Sequence, residues 1–187
     1  KTERAMLYTY DQSKANVAAL AKASDESIAR LEEAFGYKLL YTPHIVVYNS
    51  QKDFESWAPP QITERFIGMA SGSWGGAVVT YWDSIAFTGY AIIQHELVHL
   101  FQFQSIRDER YQVPPRWWIE GSATYFETVV PDDFEATIRA LYRQYPPPNL
   151  EFGVPPVAPD ASGIPYPYYA GMTFTRFLID RYGIEAF

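Results

Sequence analysis

Two histidines and one glutamate stand inside an otherwise apolar run, AIIQHELVHLF, at residues 91–101. A helix that is apolar on most sides belongs in a protein interior, where a charged group is costly unless it is paired or bound to a metal. Four residues apart on a helix, His95 and His99 project from one face, so both imidazoles can reach one ion. Glu96 lies beside them, close enough to contact a water molecule on that ion. The three residues therefore predict a metal site with a neighbouring base.

Their spacing is the H-E-x-x-H pattern, in which two histidines bind zinc and the glutamate acts as the general base of a peptidase. In a chain of this composition the pattern is expected by chance in roughly 0.003 places. The alternative is a pair of core histidines flanking a salt-bridged glutamate, which would need several independent buried partners. The pattern therefore favours zinc.

A catalytic zinc ion usually has three protein ligands and one open position for water. The best candidate for the third ligand is Glu120, in PPRWWIEGSATYFE, on a predicted helix that begins after Pro115. Two histidines and a glutamate are an established zinc ligand set. There are two alternatives. Glu120 could be a plain surface residue, or the third ligand could be His44, which is more simply explained as the first residue of a strand.

Together, QHELVHLFQ and RWWIEGSATYFE resemble the gluzincin clan of zinc metallopeptidases, in particular peptidase MA-like domains. The second segment is similar to the W-x-x-E-G-x-A-x-Y-x-E run of the aminopeptidase N family. The resemblance implies that His95, His99 and Glu120 bind zinc and that Glu96 is the general base.

Two further residues of the second segment are candidates for a supporting role. The resemblance implies that Thr124, one turn after Glu120, orients a histidine ligand. A threonine can also bond back to its own helix, which is the alternative. Glu127 could steady the site or lie on a solvated face.

The resemblance also implies a tyrosine that donates a hydrogen bond to the oxyanion, from a Y-x-x-G segment on a later helix. Tyr168 in YYAG fills this register, with Tyr166 and Tyr169 as rivals and simple packing of Tyr168 as the alternative. The G-x-M-E-N segment with which aminopeptidases hold the substrate amine has no counterpart, because no acid occurs between Met69 and Tyr81. An endopeptidase is therefore favoured over an aminopeptidase.

The glycine-rich segment SWGGAVVTYW is the predicted substrate-binding strand. An extended peptide can pair with an edge strand, and glycines allow a close backbone approach. We therefore expect Gly75, Gly76, Ala77 and Val78 to border the cleft. The alternative is an ordinary inner strand with a glycine bulge.

The remaining pattern predicts an α+β fold for residues 1–187, as a single zincin-like catalytic domain with an α/β lobe at about 1–105 and a mainly helical lobe at about 106–187. We expect a small mixed sheet with an edge strand above the active-site helix. The predicted elements are a helix at 11–35 ending at Gly36, a strand at 44–50, a short helix at 51–57, a strand at 77–82, the apolar helix with Thr88 as N-cap, helices at 116–129, 131–145 and 168–183, and a proline-rich connection at 145–167.

Composition narrows the possible partners. A net charge of -7 and a pI near 4.9 argue against nucleic acid and anionic membrane surfaces. The chain has no cysteine, so any metal must use nitrogen and oxygen ligands, and no apolar stretch is long enough to span a membrane. It begins at Lys1, which suggests a mature form or a fragment and is compatible with an extracytoplasmic location. The oligomeric state is left open.

The sequence thus predicts a zinc-dependent metallopeptidase acting on a peptide or protein substrate, in which Glu96 takes a proton from metal-activated water. A non-catalytic zinc-binding module of the same fold is one alternative, although metal binding alone does not require Glu96. A zinc amidase that acts on cell-wall peptides is the other.

Overall fold

The computed structural model describes residues 1–10, 16–57, 66–73, 75–88, 90–106, 114–127 and 166–184, and a few isolated positions between 136 and 143. The chain divides into two compact units, Lys1–Arg107 and Asp108–Phe187, which are described in turn. Within the described ranges, no helix combines the length and the apolar character that crossing a bilayer requires.

The first unit is built on a four-stranded mixed sheet. Three of its strands run parallel, and the fourth pairs antiparallel at one edge. Mixed pairing surrounded by helices confirms the predicted α+β class. In sheet order the strands are β1 (Met6–Thr9), β2 (His44–Tyr48), β4 (Ala77–Tyr81) and β3 (Gly68–Ser71).

The first helix ends where the sequence predicts. Helix α1 spans Val17–Phe35, and the side chain of Asn16 caps its start by accepting a hydrogen bond of 3.0 Å from the backbone N–H of Ala19. Gly36 ends the helix in a left-handed conformation with φ of 71°, which glycine adopts without strain. The predicted start of this helix falls on residues 11–15, which lie outside the described residues.

Two short helices flank the strands of the first unit. Helix α2 (Gln51–Trp57) agrees with the prediction, whereas helix α3 (Trp82–Thr88) was not expected. The prediction of Thr88 as an N-cap is wrong, because Thr88 is the last residue of α3 and its hydroxyl donates to the carbonyl of Ser84 at 2.9 Å. The residue before the next helix is Tyr90, in a left-handed conformation with φ of 72°.

Helix α4 (Ala91–Ser105) carries the H-E-x-x-H pattern and is the interior helix that its sequence predicts, since every residue from 91 to 102 is buried. Its end is fixed by neighbouring side chains. The hydroxyl of Tyr37 donates to the carbonyl of Phe101 at 2.7 Å, and burial raises the pKa of Tyr37, so it remains a donor at neutral pH. The amide of Gln104 bonds to the backbone of Lys38 and Leu40.

The second unit contains helices α5 (Arg116–Tyr125) and α6 (Tyr166–Tyr182). Helix α5 begins after Pro115 as predicted, but it ends at residue 125 instead of 129 with Phe126 as its C-cap. Helix α6 begins two residues before its predicted start and ends before Gly183, which has φ of 83°. Most of the predicted helix at 131–145 and the proline-rich connection lie outside the described residues.

Helices α5 and α6 approach each other closely at Gly121 and Gly171. A Cβ atom on Gly121 would lie 2.2 Å from the carbonyl carbon of Gly171, and one on Gly171 would lie 2.3 Å from the carbonyl oxygen of Trp117. Neither position has room for a side chain. Beside this contact the rings of Trp117 and Phe174 pack edge to face, with centroids 4.8 Å apart. Close packing therefore accounts for the glycine in both the IEG and the YYAG segments.

Candidate metal centre

The two histidines of α4 lie side by side in the interior of the first unit. His95 is 5% exposed, Glu96 6% and His99 8%. The imidazole centroids of His95 and His99 are 4.8 Å apart, with the ring planes at 84°. The structure thus confirms that the two rings project from one face of an interior helix.

A buried glutamine holds one of these rings. Nδ1 of His99 lies 2.7 Å from Oε1 of Gln102, whose side chain is 1% exposed. Because an amide oxygen only accepts hydrogen bonds, this contact favours the tautomer in which Nδ1 carries the proton and Nε2 the lone pair, the form in which imidazole binds metals. The sequence analysis missed Gln102; the available signal was its position three residues after His99, on the same helix face.

Glu120 supplies a carboxylate to the same group. Its side chain is 16% exposed, and its Oε1 lies 3.9 Å from Nε of Arg116, one helical turn earlier. One ligand atom from each of His95, His99 and Glu120 lies within 4.8 Å of the other two. These three side chains, two buried and one half-buried, could therefore hold a metal ion.

The donor set fits zinc. With bonds of 2.0–2.1 Å in a tetrahedral site, ligand atoms are about 3.3 Å apart, so small side-chain rotations would close the observed separations. Two imidazole nitrogens suit zinc better than calcium or magnesium, which prefer oxygen ligands. Three protein ligands leave one tetrahedral position for water, the arrangement typical of catalytic sites.

The carboxylate of Glu96 lies against strand β3. A Cβ atom on Gly68 would be 2.8 Å from Oε1 of Glu96 and 2.7 Å from Cγ1 of Ile92. Glycine at this position therefore leaves the space that the carboxylate occupies. Glu96 follows His95 directly on α4, and its role as general base stays a prediction.

The segment predicted to bind substrate does not form an edge of the sheet. Ala77 and Val78 belong to β4, which pairs with β2 on one side and β3 on the other. The carbonyl of Gly76 accepts a hydrogen bond of 2.9 Å from the backbone N–H of His44. Ala77 and Val78 therefore lie on an inner strand, and the prediction of an edge strand there is wrong; a substrate-binding role of Gly75 and Gly76 stays a prediction.

Of the strands that the structure describes, β3 forms one edge of the sheet and β1 forms the other. Strand β3 pairs with β4 on one side, and within the described residues no strand lies on its other side. Its sequence, GMAS, contains no β-branched or aromatic residue, so propensity gave no strand signal. The glycines assigned to the substrate have structural roles, since a Cβ atom on Gly76 would lie 2.0 Å from Cε2 of Tyr41 and Gly75 has φ of 70°.

The supporting residues have partners of their own. The hydroxyl of Thr124 donates to the carbonyl of Glu120 at 2.9 Å, which is the back-bonded alternative. Glu127 is half-buried just beyond the C-cap of α5, and its role at the site stays a prediction. Nδ1 of His44 lies 3.1 Å from the hydroxyl of Tyr8. His44 is the first residue of β2, which agrees with the interpretation of His44 as a strand residue instead of a third metal ligand.

Tyr168 lies in the first turn of α6 and is half-buried. It precedes Gly171 by three residues, and Gly171 contacts Gly121, which directly follows Glu120. One helical turn thus separates Tyr168 from the glycine contact beside Glu120. Its role as an oxyanion donor stays a prediction, and the side chains of its rivals at 166 and 169 lie outside the described residues.

No protein-family model matches this sequence, and comparisons with characterised proteins and with solved structures gave no significant match. The resemblance to gluzincin metallopeptidases therefore stays an expectation from the two segments that carry it. The functional interpretation depends on the residues of the candidate metal centre.

Proposed function

We propose that this protein is a zinc-dependent metallopeptidase in which Glu96 is the general base. The observation that supports the proposal is the His95, His99 and Glu120 group together with a second carboxylate, that of buried Glu96, on the same helix as the two histidines. A buried carboxylate is costly, and metal binding by the other three residues does not require it. A general base for water is the role that a carboxylate can perform in that position.

Under this proposal His95, His99 and Glu120 hold the metal, and Gln102 keeps His99 in its metal-binding tautomer. A zinc ion held there would supply Lewis acidity, which polarises a peptide carbonyl and acidifies a water molecule.

The residues of the chain then move the proton. Glu96 accepts it as the water oxygen forms a bond to the carbonyl carbon, and returns it to the amide nitrogen as the C–N bond breaks. Tyr168 donates a hydrogen bond to the oxygen that becomes negatively charged. Burial around Glu96 limits competition from bulk water and strengthens these interactions.

The edge of β3 offers a place for the peptide. An extended substrate can add to an edge strand through main-chain hydrogen bonds. Gly68 at the start of β3 is in contact with Glu96, so a peptide paired with this strand would pass near the base. The segment 68–73 contains no acid that could hold a free amino terminus, which favours cleavage within a chain.

A substitution at Glu96 tests the proposal. Glu96→Gln should retain one zinc per chain but lose peptide hydrolysis by several orders of magnitude, because an amide cannot accept the proton. Glu33→Gln, which makes the same change at an exposed position of α1, is the matched control and should behave as the unmodified protein.

The assay is digestion of a broad peptide library at neutral pH, with metal content measured on the same samples. Equal cleavage by Glu96→Gln and the unmodified protein would show that Glu96 is not the base. If the zinc-loaded protein cleaves nothing, the non-catalytic zinc-binding module replaces the enzyme. Cleavage confined to cell-wall peptides would indicate the amidase.

A further inference from the structure

A cavity of about 380 Å³ opens beside β3 in the first unit. Its wall is formed by the end of β3 and the following turn, by the last turns of α4, and by one aromatic residue that precedes β2. The lining residues are Tyr41, Ala70, Ser71, Gly72, Ser73, Phe103 and Gln104.

The cavity is connected to the candidate metal centre by α4 and by β3. Phe103 follows His99 by one helical turn, and their rings stack with centroids 6.0 Å apart and planes at 21°. Strand β3 runs from Gly68, in contact with Glu96, to Ser71 at the cavity. Three residues of extended chain span roughly 10 Å. A peptide paired with β3 therefore places a side chain at the cavity two or three residues from the bond that lies near Glu96.

The lining selects an uncharged side chain. Among the part of the lining that the structure describes, none of the seven residues is charged at neutral pH, so a charged group would lose hydration there without gaining a counter-charge from them. Phe103 is 38% exposed, and the hydroxyls of Ser71 and Ser73 lie 2.9 Å apart. The amide of Gln104 is already bonded to the backbone of residues 38 and 40.

An aromatic ring fits this wall better than a small or aliphatic group. Phe103 and Tyr41 offer surfaces for ring packing, and such pairs add to the stabilisation from buried area. An incoming ring would also cover the exposed part of Phe103, and the serine hydroxyls could bond to a polar tip.

We infer that this cavity is a specificity site for a bulky aromatic side chain of the peptide substrate, two or three residues from the scissile bond. The site rests on the proposed function, since it needs an extended peptide that reaches Glu96 along β3.

Gly72→Leu tests the site by narrowing the cavity. A Cβ atom on Gly72 would lie 3.4 Å from Cβ of Phe103, an ordinary contact, so the larger side chain is directed at the cavity wall without a backbone clash. The selected position is the substrate residue whose side chain enters the cavity, two or three residues from the scissile bond. For peptides with Phe at this position, kcat/KM should fall about 10- to 100-fold. Cleavage of matched peptides with Gly there should fall clearly less, because Gly places no side chain in the cavity, and zinc content should stay the same. Ala86→Leu, at an exposed position of α3, is the control.

A binding measurement separates this site from the proposed function. Zinc-loaded Glu96→Gln protein, with and without Gly72→Leu, is titrated with labelled peptides that carry Phe or Gly at the selected position. Cleavage without any aromatic preference, or a preference that Gly72→Leu leaves intact, overturns the specificity site alone. Tight binding of the Phe peptide that Gly72→Leu weakens, without any cleavage by the unmodified protein, overturns the peptidase function alone. Neither cleavage nor binding overturns both.

Discussion

Gly68→Ala should displace the proposed base without removing it. The added Cβ atom would lie 2.8 Å from Oε1 of Glu96 and 2.7 Å from Cγ1 of Ile92. An ordinary contact begins at about 3.5 Å, so the carboxylate must move by roughly 0.7 Å if the strand stays in place. Misplacement of a reacting group by about 1 Å costs on the order of 100-fold in rate. We therefore expect kcat to fall roughly 10- to 100-fold, with zinc content unchanged.

The same substitution should destabilise the fold. Overpacking of this kind costs about 1–3 kcal/mol, partly offset because alanine restricts the unfolded chain more than glycine does. The control must therefore lose stability without touching Glu96. Ile28→Val in the buried face of α1 serves this purpose, since removing one buried methylene costs about 0.5–1.5 kcal/mol.

The assay combines steady-state kinetics on one cleaved peptide, metal analysis, and urea denaturation for all three proteins. The fall in kcat of Gly68→Ala should exceed any fall in kcat of Ile28→Val when the two variants have a comparable free energy of unfolding. If Gly68→Ala keeps the kcat of the unmodified protein, the contact with β3 does not position Glu96 and the reasoning from this glycine fails.

Three other substitutions test the supporting contacts. Gln102→Ala should weaken zinc binding about 10- to 100-fold in a chelator competition, because His99 loses the acceptor that orients it. The control Gln51→Ala should bind zinc like the unmodified protein, and equal zinc affinity of Gln102→Ala and the control would contradict this role of Gln102. Gly171→Ala should lower the free energy of unfolding by about 3 kcal/mol in urea, since its Cβ would meet the backbone of α5, and a loss below about 0.5 kcal/mol would count against that contact. Tyr168→Phe should lower kcat about 10²- to 10³-fold with zinc retained, and an unchanged kcat would remove it as the oxyanion donor.

Features set by local sequence could be predicted well. The apolar run around His95 indicated an interior helix, and the four-residue spacing placed both imidazoles on one face. Gly36 marked the end of α1 because a left-handed residue there favours glycine. These signals depend on neighbours within one or two helical turns, which a single sequence displays directly.

Features set by distant contacts could not be predicted. The strand predicted at 77–82 is present at 77–81, with Trp82 beginning α3 instead, but whether a strand is inner or at an edge depends on its partners. Strand β3 had no signal because GMAS contains no β-branched or aromatic residue, and its Gly68 is explained only by the closeness of Glu96. Likewise, the packing of Gly121 against Gly171 explains two motif glycines only once α5 and α6 are seen together.

The central claim is that one zinc ion bound by His95, His99 and Glu120 supports peptide hydrolysis. Titration of metal-free protein with zinc, followed by peptide cleavage, tests it most directly. We expect no turnover without metal, a linear rise in turnover with added zinc, and no further rise above one equivalent per chain. Turnover by the metal-free protein at the full rate, or no turnover at any zinc concentration, would contradict it.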